Sequence, residues 1–250
     1  WKLSAEFARG VMLDQACELR ELVRRSAVRH PPTAARSRRV VMFGGKGGVG
    51  TTTLGVSLAV VLGDKGKGTV LVDAVGAADL AALCRIEPRY TTADVFSGGC
   101  GVVEALHPGP GRTRILCGAP DLPRQAAEQP AAADRILDQL ADLELKAETV
   151  LFDAGSRTDR WTRRLWQVAD VLVVVTTPDR AAVVDTFAML RSIVEAGTET
   201  PVHLIVNNAP SAAIGENAYH RLAEACRRFL GSQPIDLGCV PADRQVQLAG

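Results

Sequence analysis

The chain has 250 residues, 47% hydrophobic and 23% charged, which suits one large soluble domain with a substantial core. A formal net charge of +1 excludes a global field that would draw it to nucleic acid or anionic lipid, so any such attraction has to be local. No apolar run approaches the ~18 residues needed to span a bilayer, and the first thirty residues are charged and amphipathic, without the apolar region of a signal peptide.

In chain order, residues 4–28 read as a helix, because Met12, Ala16, Leu19 and Val23 recur on one stripe of a 3.6-residue period. His30-Pro-Pro32 ends it, since proline cannot continue the hydrogen-bond ladder. Residues 30–38 read as a linker. From Arg39 the pattern changes to short, continuous apolar runs at 39–43, 69–73, 113–117, 149–153, 171–175, 202–206 and 236–240, as expected of strands covered on both faces. Helical stretches alternate with them near 52–63, 131–143, 160–168, 179–196 and 216–230. Such alternation predicts an α/β fold with a doubly wound, mostly parallel sheet. The Gly/Pro-rich stretch 98–111 reads as a loop. The chain opens on Trp1 without a methionine and stops at Gly250 soon after an expected strand, so both ends are expected to be fragment boundaries.

The first strand runs directly into Gly44-Gly-Lys-Gly-Gly-Val-Gly-Thr-Thr-Thr53 and then an apolar helix. Glycines let successive backbone N–H groups turn inward, and the helix start adds partial positive charge, which together make a phosphate cradle. The spacing from Gly45 to Gly50 and Thr52 fits the P-loop, with Thr51 where a lysine is expected and Thr52 where a hydroxyl meets Mg²⁺. The expected cradle is Gly45, Lys46, Gly47, Gly48, Val49, Gly50, Thr51, Thr52 and Thr53, with Lys46 supplying a cation from the loop's start.

Lys46-Gly-Gly-Val-Gly-Thr-Thr-Thr53 resembles the deviant Walker A motif of the MinD/ParA ATPases. The resemblance implies a P-loop fold of that type, ATP and Mg²⁺ as ligands, and a homodimer around ATP in which Lys46 reaches the partner's nucleotide. Thr51 resembles the variant loop of the CpaE/TadZ pilus-localisation branch. An ordered series of further segments resembles the FlhG/FleN/YlxH group, which sets flagellar number and placement. It comprises Asp14-Gln-Ala-Cys-Glu-Leu-Arg20, Glu87-Pro-Arg-Tyr-Thr-Thr-Ala-Asp-Val95, Thr176-Thr-Pro-Asp179, Val206-Asn-Asn208 and Arg227-Arg-Phe-Leu-Gly231. That group implies an N-terminal partner-binding helix over 1–29, with Asp14, Gln15, Ala16, Leu19 and Arg20 docking on an FlhF-like GTPase. The P-loop domain then occupies 39–250. By the same resemblance Asp73 and Asp153 join Thr52 around Mg²⁺, Lys46, Asp73 and Asp153 serve catalysis, and Asn207 and backbone near Pro241 meet adenine.

Three positions depart from the family. Thr51 replaces the second lysine, Val75 replaces the second aspartate of the D-x-D motif that begins at Asp73, and Arg157 replaces a glycine after Asp153. Valine cannot orient water, and phosphoryl transfer depends on such positioning. Weak or absent hydrolysis is therefore expected, with Arg157 a candidate substitute for the missing lysine's charge. Asn207 also reads as a strand-end turn residue, and Trp161 and Trp166 as core or as part of a switching region. Cys17, Cys84, Cys100, Cys117, Cys226 and Cys239 contain no C-x-x-C pair and read as buried or idle thiols in a reducing compartment.

The arginine-rich stretch 20–39 reads as a solvated linker, or as contact with an acidic partner, RNA or membrane headgroups. The expected function is a cytoplasmic, ATP-binding flagellar regulator, with peripheral contact at the inner membrane face as a further expectation. A pilus-localisation scaffold and a ParA-like segregation protein are the alternatives, the last disfavoured by the near-zero net charge.

Overall fold

The computed structural model describes residues 37–76, 79–141, 143 and 147–243. The helix expected over 4–28, with Asp14, Gln15, Ala16, Leu19 and Arg20, lies outside the described residues.

The described elements alternate as the apolar runs predict. They are β1 (Arg38–Gly44), α1 (Thr51–Asp64), β2 (Thr69–Asp73), α2 (Asp79–Leu83), α3 (Thr92–Ser97), β3 (Leu106–Pro108), β4 (Thr113–Leu116), α4 (Leu122–Glu128) and α5 (Pro130–Ala141). Then follow β5 (Thr149–Asp153), α6 (Arg160–Val168), β6 (Val171–Thr176), α7 (Arg180–Glu195), β7 (Val202–Ala209), α8 (Ala212–Leu230) and β8 (Ile235–Pro241). They form one sheet in the order β3-β4-β2-β5-β1-β6-β7-β8, and only the β3–β4 pair is antiparallel.

The runs are continuous because both faces are covered. Val41, Phe43, Val150, Phe152, Leu172 and Val174 point into one core, and Met42, Leu71, Leu151, Val173 and Val175 into the other. This is the period-2 alternation of a strand with both sides apolar. At about 25 cal/mol per Å² of apolar surface removed from water, these two layers supply the main force for folding.

Four short elements went unread in the sequence. Helices α2, α3 and α4 span only five to seven residues, too short for a 3.6-residue period to show. The stretch 98–111, read as a loop, contains β3, whose Leu106 is buried while Pro108 is exposed. A tight reversal ending on Arg112 at φ 63° brings β3 back along β4. Helix α8 starts at Ala212 rather than 216, because the Ser211 hydroxyl accepts from the Ile214 amide at 3.3 Å and caps it there.

Trp161 and Trp166, on α6, are both core residues. The Trp161 indole donates to the Ala74 carbonyl at 3.0 Å, and Trp166 is fully buried with its ring 5.7 Å from that of Phe43. Helix α6 is thereby fixed against β1 and the loop after β2. Trp166→Ala is expected to cost about 3–5 kcal/mol in urea unfolding, the usual range for deleting a buried aromatic ring. A loss under 1 kcal/mol would contradict this packing.

Candidate functional site

Strand β1 has β5 on one side and β6 on the other, while the chain's next strand, β2, lies beyond β5. The strand order therefore reverses at β1, and a crevice opens at the carboxyl ends of the strands, where open α/β sheets bind ligands. The loop 44–53 occupies that point.

Its shape is imposed by close backbone approach. The Gly44 amide donates to the Gly155 carbonyl at 2.6 Å, and the Gly45 amide to the Val175 carbonyl at 3.1 Å. A Cβ on Gly45 would stand 2.0 Å from Thr186 Oγ1 and 2.5 Å from its Cα, so no side chain fits there. Gly48 and Gly50 take φ 81° and 88°, the left-handed region that glycine enters at little cost. Gly50 is also the N-cap of α1 and has no side chain to bond the helix's first amides. Helices α6, α7 and α8 are instead capped by Asp159, Asp179 and Ser211. The first turn of α1 carries no acid either, so its amides, at Thr51, Thr52 and Thr53, are left to water or to an anion from outside.

Below this helix start lie two buried carboxylates. Asp73 and Asp153 end adjacent strands, are paired in register, and are each 3% exposed. The Thr52 hydroxyl donates to Asp153 Oδ2 at 2.5 Å, and the Gly155 amide to its Oδ1 at 3.2 Å. Asp73 Oδ1 accepts from the amides of Val75 and Gly76 at 2.9 and 2.7 Å. Together these groups border a cleft of about 900 Å³, also lined by Lys46, Gly47, Gly48, Thr51, Val75, Asp79, Ser156 and Arg157.

Residues 38–87 match the family described as anion-transporting ATPase. The chain is 26% identical over 211 residues to the antiactivator FleN of Pseudomonas aeruginosa, covering 84% of this chain and 75% of FleN. It is 24% identical over 200 residues to the flagellum site-determining protein YlxH of Helicobacter pylori, covering 77% and 65%. The solved septum site-determining protein MinD from Pyrococcus horikoshii OT3, complexed with Mg-ADP, superposes with a TM-score of 0.68 at 21% identity, over 85% of this chain and 84% of that one. The chain has the P-loop fold of the MinD/ParA type.

Against that type, most of the expected site residues converge. Gly45, Lys46, Gly47, Gly48, Val49, Gly50, Thr51, Thr52 and Thr53 form one loop and helix start, with Asp73 and Asp153 beneath. Asn207 lies in β7, and its side-chain amide donates to the Val49 carbonyl at 2.8 Å, so it buttresses the loop. Pro241, at the end of β8, is exposed, and neither it nor Asn207 lines the cleft. Lys46 is 45% exposed, with Nζ 4.0 Å from Asp179 Oδ1. Thr51 is 7% exposed, and its Oγ1 lies 2.7 Å from where a Cβ on Gly44 would stand.

Asp79, Ser156, Thr186 and Gly118 were not picked out from the sequence. Gly118 leaves room for Asp73, since a Cβ there would stand 2.6 Å from the Asp73 Cγ. A glycine two residues past the end of β4 is the one available signal.

Burial pushes the Asp153 carboxyl above the usual carboxylate range, against the Thr52 hydroxyl and Gly155 amide, and the neighbouring Asp73 adds to the rise. Burial likewise raises Asp73, opposed by the amides of Gly76, Val75 and Gly118. Two buried acids and a hydroxyl form an all-oxygen set that fits Mg²⁺, a hard cation commonly held by one or two carboxylates. A bound cation would favour the charged forms that burial disfavours.

Asp153 holds its proton more tightly folded than unfolded, so its contribution to stability falls as pH rises from about 4 through its raised folded value. Asp153→Asn is therefore expected to melt higher than the parent at pH 7 without Mg²⁺, by about 2–4 °C for each kcal/mol relieved. The advantage should shrink in acid, and added Mg²⁺ should raise only the parent's melting temperature. Equal melting at pH 7, with or without Mg²⁺, would contradict the strain assigned to this carboxylate.

Proposed function

We propose that the chain is a cytoplasmic, ATP-binding regulator of flagellar number or placement, acting as a nucleotide-gated homodimer with weak or absent hydrolysis. The observation that carries this reading is the uncapped, glycine-bounded start of α1 standing over the Asp73–Asp153 pair, on a chain similar to FleN across 84% of its length.

In this reading the loop amides and the amides of Thr51, Thr52 and Thr53 hold the phosphates. Thr52, Asp73 and Asp153 would hold Mg²⁺, which would supply positive charge beside the phosphates. Lys46, exposed at the cleft's rim, is free to leave Asp179 and reach a second copy's nucleotide. Such an exposed ion pair is held only weakly in water.

Two features keep turnover low. Val75 lines the cleft where the family has an aspartate, and an isopropyl group neither accepts a proton nor orients water. Thr51 brings no charge to the phosphates. ATP then works through its differential affinity for the dimer, which is sufficient to move a population.

The segment 1–29 presents Asp14, Gln15, Ala16, Leu19 and Arg20 to an FlhF-like GTPase. Residues 30–38 link it to the nucleotide-binding domain, 39–250. Asn207 and backbone near Pro241 contribute to the adenine side. No helix among the described residues is long and apolar enough to cross a membrane, and the membrane contact proposed here is peripheral.

The test is sedimentation with labelled nucleotide. Mg·ATP at millimolar concentration should bind and convert monomer to dimer. Lys46→Ala should still bind ATP, within about threefold, yet remain monomeric. Absence of nucleotide binding by the parent chain rejects the proposal. Copurification with an FlhF-like GTPase should be lost on deleting 1–29, and retained copurification rejects the partner assignment.

A further inference from the structure

The cleft's charges are unusual for a site that meets phosphates. Three carboxylates line it, Asp73, Asp79 and Asp153, against two cations, Lys46 and Arg157. Thr51 supplies no charge, and Lys46 stands beside Asp179. Apart from Mg²⁺, a triphosphate entering here meets more carboxylates than side-chain cations unless one of those cations turns inward.

Arg157 is placed to be that cation. Its loop is anchored, because the Gly155 carbonyl accepts from the Gly44 amide at 2.6 Å and Gly155, at φ 59°, lies against Val75. The same loop sits over the phosphate cradle, with Ser156 Oγ 3.8 Å from where a Cβ on Gly47 would stand. Arg157 follows immediately and lines the cleft.

Its guanidinium is oriented without being consumed. Asp159 Oδ2 accepts from Arg157 Nε at 2.8 Å, while Asp159 Oδ1 caps α6 through the Thr162 amide. Among the described residues no hydrogen bond engages the two terminal nitrogens of Arg157, and its side chain is 59% exposed. A guanidinium held by Nε presents its remaining N–H groups as a planar fork, which matches phosphate oxygens.

We propose that Arg157 binds the outer phosphates of the bound nucleoside triphosphate, replacing the charge that Thr51 does not provide, and so favours triphosphate over diphosphate. This rests on the nucleotide-binding reading given above. It assigns a phosphate ligand from the strand β5 loop, in place of one from the phosphate loop itself.

The test is a double-mutant cycle on the full chain, using fluorescent Mg·ATP and Mg·ADP. Arg157→Ala should weaken Mg·ATP binding about tenfold or more, equal to about 1.4 kcal/mol, with Mg·ADP binding changed less than about threefold. Arg157→Lys should fall between, because it keeps charge without the fork. In a Thr51→Lys background the Arg157→Ala loss should shrink to about threefold or less, since two cations serving one role are not additive. Unchanged nucleotide-free melting temperatures identify the effect as one of binding.

Unaltered Mg·ATP affinity in Arg157→Ala, or equal weakening of both nucleotides, overturns this assignment and leaves the nucleotide-binding reading intact. An equal loss in the two backgrounds also overturns it. Parent protein that binds neither nucleotide overturns both.

Discussion

The first turn of α1 and the two carboxylates beneath it constrain each other. Gly50 leaves the helix amides unbonded, which is tolerable only where an anion or water can reach them. Asp73 and Asp153 are buried side by side at the strand ends, which burial alone makes unfavourable for their charged forms. A phosphate and a divalent cation would answer both problems at once, one through the amides and the other through the carboxylates. The strained, electrically incomplete part of the molecule is therefore also the part with the chemistry.

The remaining structure holds that arrangement in place. Register pairing of β2 with β5 sets Asp73 beside Asp153, and pairing of β1 with β5 and β6 sets the loop above them. Thr186 on α7 closes on Gly45, Asn207 on β7 bonds Val49, and the Trp161 indole bonds Ala74. These contacts come from three different elements and fix Gly45, Val49 and Ala74, each next in sequence to a residue that lines the cleft. A preorganised cradle of this kind loses little conformational freedom when its ligand arrives.

The departures from the family share a physical direction. Val75 removes an ionisable group, Thr51 removes a charge, and Arg157 adds one from the loop after β5. In the proposed reading, binding groups persist while groups that position water are replaced, and such a site would report its ligand through dimerisation while turning it over slowly.

Much of the fold was legible because its signals are local and repeated. Seven continuous apolar runs became seven strands, and the 44–53 loop declared itself by glycines set between a strand and a helix. Helices α2, α3 and α4 and strand β3 were not legible, since elements of three to seven residues carry too few positions for a period to emerge. Thr52, Asp73 and Asp153 could be named from motif and resemblance, yet their burial and the 2.5 Å bond between Thr52 and Asp153 come from pairing strands far apart in the chain. The roles of Gly118, Thr186 and Asp79, and the buttressing use of Asn207, belong wholly to the tertiary structure. A side chain's task is set by what the folded sheet brings against it, whereas its own sequence neighbours set only the local backbone.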